Sequence, residues 1–96
     1  MSSDILHFIG GSDAPPSTGE FIPNYSPATG EVCGRVASGN AADVDRAVKA
    51  AAAVLPAWRD HRPIVRGRIL TEIARKMREQ IDALAAIEAE DTGKPL

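Results

Sequence analysis

At Asn40 the spacing of apolar residues changes, and that change limits what this chain can fold into. Before it, Gly10, Gly11, Gly19, Gly30, Gly34 and Gly39, together with Pro15, Pro16, Pro23 and Pro27, break the sequence into short β-prone runs. Glycine admits positive φ and proline fixes φ while removing a backbone donor, so no ordinary helix fits between them. After it, Val44, Ala47, Val48, Ala51, Leu55 and Trp58 recur at helical spacing and form one apolar stripe. Strands first and helices after indicate an α+β arrangement for these residues taken alone.

The β-prone runs are residues 7–9, 20–25 and 31–37. The first two are expected to pair as a hairpin across residues 10–19. "SPATGE" then turns the chain into the third run, with Pro27 fixing φ and Gly30 free to take φ > 0. Val32 and Val36, four apart, are expected on one face of that strand. Asn40 is the expected N-cap of the first helix, and Asp43 and Asp45 suit its positive end. Pro56 is expected to interrupt this helix before Trp58. A second helix begins near Pro63, a residue favoured at the first helical position, with the stripe Ile69, Leu70, Ile73, Ala74 and Met77. A third stretch carries Ile81, Leu84, Ala85 and Ile87; periodicity leaves open whether residues 80–82 bend or break the helix between them. Gly93 is the expected C′ residue and Pro95 prevents continuation.

Composition excludes several function classes. With 11 basic and 13 acidic residues the net charge is −2, against the clustered cations that nucleic acid requires. The basic residues from Arg59 to Arg78 are interleaved with an apolar helical pattern and read as a solvated face. No run approaches the ~20 apolar residues of a membrane span, and "MSSDILHFIGG" lacks the basic start of a signal peptide. A cytoplasmic location is the expectation. Cys33 is the only cysteine, in keeping with a reducing compartment.

Residue chemistry alone assembles no active site. Gly93-Lys94 fails as a phosphate loop, because Glu88 and Pro95 stand where a glycine and a Ser or Thr are needed, and the pair ends a helix instead of starting one. The Gly34–Gly39 stretch lacks dinucleotide spacing and carries bulky Arg35 and Val36; Gly39 is expected to relax the turn before Asn40. Cys33 lies in a strand-like run with no base in view and reads as a small apolar residue. His7 and His61 read as surface or helix-end histidines, Asp4 and Asp13 as solvated carboxylates, and Trp58 as a core anchor.

In order and spacing, nearly the whole chain resembles the N-terminus of the aldehyde dehydrogenase superfamily. "FIGG" resembles its opening strand, and "SPATGEVCGRVASGNAADVDRAVKAA" its Asn-Pro-Ala-Thr-Gly-Glu turn, strand and first helix. "AWRDH" with "RGRILTEIARKM" resembles its second helix, and "LAAIEAEDTGKPL" the close of its third. The resemblance implies an α/β fold for the complete enzyme. Residues 1–96 would be the N-terminal part of its cofactor-binding domain, with short strands over about 7–37 and helices over about 41–92.

It also implies NAD- or NADP-dependent oxidation of an aldehyde to a carboxylic acid. A cysteine thiolate captures the aldehyde, hydride passes to the nicotinamide, and a glutamate activates water to release the acid. Those residues and the cofactor-binding turn belong to later segments of the family, and Cys33 does not align with the nucleophile. No catalytic or cofactor-binding residue is therefore expected here, and these 96 residues alone are expected to bind no cofactor and to be inactive. Some members hold a monovalent cation partly through backbone carbonyls, which correspond here to Asn24 and Tyr25, with Ser26 in place of the usual Asn. The expected partners are the remainder of the enzyme chain, an aldehyde and further copies in a homo-oligomer, without nucleic acid or membrane. The alternative is a non-enzymatic helical fragment that docks on a related enzyme.

Overall fold

The computed structural model describes residues 3–95. Five strands come first: β1 (Ser3–Ile5), β2 (His7–Ile9), β3 (Ser12–Ala14), β4 (Phe21–Tyr25) and β5 (Val32–Ala37). Three helices follow: α1 (Ala41–Asp60), α2 (Pro63–Glu79) and α3 (Ile81–Thr92). The chain forms two compact units, Met1–Leu55 and Pro56–Leu96.

In the first unit, β5 is the centre of a three-stranded sheet of order β1-β5-β4. It runs antiparallel to β4 and parallel to β1, with Asp4 opposite Arg35. Asp4 is thus not simply a solvated terminal carboxylate. Arg35 donates to it through Nε at 3.0 Å and Nη2 at 2.6 Å, and the same guanidinium lies 4.1 Å over the Phe21 ring. One side chain on the central strand thereby touches both neighbours, and the Arg35 bonds hold the Asp4 carboxyl below its usual range.

The expected hairpin pairing is corrected. β2 pairs with β3, not with β4, in the register Ile9↔Ser12. The two residues between them, Gly10 (φ +63°) and Gly11 (φ +84°), both have positive φ. Two such residues make the mirror-image turn whose twist matches a two-residue hairpin, so the chain reverses at Gly10-Gly11. Gly30 takes φ +75° in the turn before β5, as anticipated, and its N–H donates to the Ser26 carbonyl at 2.7 Å.

The expected common face of Val32 and Val36 is lost to a β-bulge. Tyr25 opposes Val32 but Asn24 opposes Gly34, leaving Cys33 without a partner in the ladder. An extra residue reverses the alternation beyond it; Val32 is exposed and Val36 half-buried. Among the described residues only Pro16, Gly34, Ala37 and Asp43 are buried, and Ala37, at 8% exposure, is the one core hydrophobic.

α1 continues through Pro56 to Asp60, so the expected interruption does not occur. Proline in a helix interior removes one i→i−4 bond and costs ~3 kcal/mol, and the boundary between the two units falls at this residue. In the second unit Pro63 occupies the first position of α2, and Gln80, with φ −111° and ψ +20°, breaks α2 from α3. Gly93 ends α3 in the left-handed conformation at φ +77°, its N–H donating to the Ala89 carbonyl at 2.8 Å. Neither α2 nor α3 has a buried residue. Trp58 is 38% exposed, and its ring meets the edge of His61 with ring centroids 6.0 Å apart.

Candidate functional site

The densest polar cluster lies at the start of α1. Asn40 Oδ1 accepts the Asp43 N–H at 2.9 Å, the N-cap geometry expected from the sequence, and also the Ser17 hydroxyl at 3.2 Å. Asp43 itself is only 2% exposed. Its carboxylate receives the Ser17 N–H at 3.2 and 3.3 Å, His7 Nε2 at 3.1 Å and Arg46 Nη2 at 3.0 Å. Arg46 Nη2 also reaches the Pro15 carbonyl at 3.5 Å. Burial alone would raise the Asp43 carboxyl; the bonds from Ser17, His7 and Arg46 outweigh it and hold the pKa at about 2.

Serine, histidine and aspartate meet here, but not as a catalytic relay. The Ser17 hydroxyl is directed at Asn40, not at the imidazole, so the histidine has no nucleophile to deprotonate. The cluster instead ties β2, the segment after β3 and the first turn of α1 together. Sequence reasoning assigned Asp43 to the helix dipole and His7 to the surface; their contact joins residues 36 apart, which local patterning does not reveal. Gly39 is not in the left-handed region. A Cβ there would lie 3.4 Å from His7 Cε1, ordinary contact distance, so the turn does not demand glycine.

Cys33 is half-buried and its Sγ–H points to the Asn24 carbonyl at 3.4 Å. A carbonyl only accepts a hydrogen bond, so this contact supplies no general base. Gly34 is buried in β5, paired to both neighbouring strands. The Asp43 carboxylate already occupies the first turn of α1, where it repels an anion. The geometry of this stretch therefore does not suit a dinucleotide phosphate.

The Asn24 and Tyr25 carbonyls lie at the bulge between β4 and β5, and the Asn24 carbonyl already accepts from Cys33. A hard cation takes about six or more oxygen ligands, so these two carbonyls by themselves do not make up its shell. No cluster of three or more His, Cys, Asp or Glu side chains able to hold a metal occurs among the described residues. No helix among them is long and apolar enough to cross a membrane.

Residues 14–96 match the aldehyde dehydrogenase family. The chain belongs to that family. It is 42% identical over 90 residues to the betaine aldehyde dehydrogenases of Rhizobium etli (strain CIAT 652) and Rhizobium leguminosarum bv. trifolii (strain WSM2304). In both cases the match covers 94% of this chain and 18% of the relative. Among solved structures it is similar to HpcC from Thermus thermophilus, with a TM-score of 0.90, 40% identity and coverage of 95% of this chain and 18% of HpcC. It is also similar to PnpE, solved in complex with nicotinamide adenine dinucleotide, with a TM-score of 0.92, 36% identity and coverage of 95% and 19%. The strands and three helices are those of the N-terminal part of the aldehyde dehydrogenase α/β fold. The chain spans less than a fifth of the length of these curated relatives.

Proposed function

We propose that these 96 residues work as the N-terminal part of the cofactor domain of an NAD(P)-dependent aldehyde dehydrogenase, which oxidises an aldehyde to a carboxylic acid. The supporting observation is an ordered match over residues 14–96 to a family whose members are about five times longer. The exposed apolar faces of α2 and α3 agree with it, because a helix with an apolar stripe needs an apolar neighbour to cover it. In this reading the chain supplies scaffold, and the nucleophile, the water-activating carboxylate and the cofactor-binding turn come from the rest of the polypeptide. The complete enzyme is read as a cytoplasmic homo-oligomer. Asn24 and Tyr25 contribute carbonyls to a monovalent cation only together with ligands from elsewhere in that enzyme.

The test is a chimera in which this chain replaces the matched 90 residues of the Rhizobium etli betaine aldehyde dehydrogenase. The chimera is expected to form NADH with betaine aldehyde, and the lone 96-residue chain to form none. Turnover by the lone chain, or a chimera that neither folds nor turns over, would refute the reading. The exposed α2 and α3 faces also fit a non-enzymatic fragment docking on a related enzyme. That reading predicts association of the lone chain with intact enzyme, measurable by sedimentation.

A further inference from the structure

We draw no further inference here: the strongest candidate, the apolar groove between the β2–β3 hairpin and α1 that Phe8, Ile9, Ala47, Ala51 and Val54 line, is an open face, and nothing in the structure shows what covers it.

Discussion

Replacing Asn40 by alanine removes a single side-chain oxygen that serves two donors. One is the Asp43 N–H at 2.9 Å, otherwise an unmet donor in the first turn of α1; the other is the exposed Ser17 hydroxyl at 3.2 Å. The hydroxyl can turn to water at little cost, so the loss is that of an N-cap, ~1 kcal/mol. That corresponds to about a fivefold rise in the opening constant of the first turn. Asn40→Ser keeps a capping oxygen and should cost only a few tenths of that. Asn40→Asp keeps the cap but sets a second carboxylate beside the buried one of Asp43, so its benefit should fall as pH rises through ~4, where an ordinary aspartate ionises. Site-resolved amide exchange at Asp43 and Val44 in the chimera measures each effect. If alanine and serine behave alike, or if alanine leaves the exchange of Asp43 unchanged, the capping argument is wrong.

Three further outcomes follow from the same contacts. The Asp43 pKa of about 2 lies below its ordinary value of 3.8, so its contribution to stability is complete above pH 3.8 and is lost as pH falls towards 2. Wild-type chimera should therefore lose its advantage over Asp43→Asn in urea melts between about pH 4 and 2, and parallel curves would contradict this. Gly11→Ala should destabilise the β2–β3 hairpin by ~1 kcal/mol, because φ +84° strains an L-residue even though its Cβ meets no atom within 4 Å; Gly39→Ala, tried in the same melts, should be neutral or slightly stabilising. Cys33→Ala should leave the chimera's turnover of betaine aldehyde unchanged, and loss of turnover with the fold intact would contradict the account of Cys33.

The sequence was most legible where a local signal acts alone. Asn40 as cap, Pro63 at a helix start, Gly30 in a turn and Gly93 at a helix end each follow from the conformational preferences of one residue. It was least legible where a distant partner decides. β1 is three residues long and is fixed through Asp4 and Arg35, 31 positions apart. The bulge at Cys33 depends on how β4 meets β5, and Asp43 is buried only because His7, Ser17 and Arg46 converge on it. The Gly10-Gly11 turn is legible locally, but its partner strand is not, because Ser12–Ala14 does not read as a strand by propensity. Pro56 shows the reverse failure, a local rule overridden by the helix around it.

The central claim is that the apolar faces of this chain are built to be covered by the remainder of an aldehyde dehydrogenase. Calorimetry of the lone 96-residue chain tests it most directly. The account predicts no single cooperative heat absorption and self-association as concentration rises, since Ile69, Leu70, Ile73, Met77 and Leu84 stay in contact with water. A sharp two-state transition from a monodisperse monomer, with calorimetric and van't Hoff enthalpies equal, would contradict it.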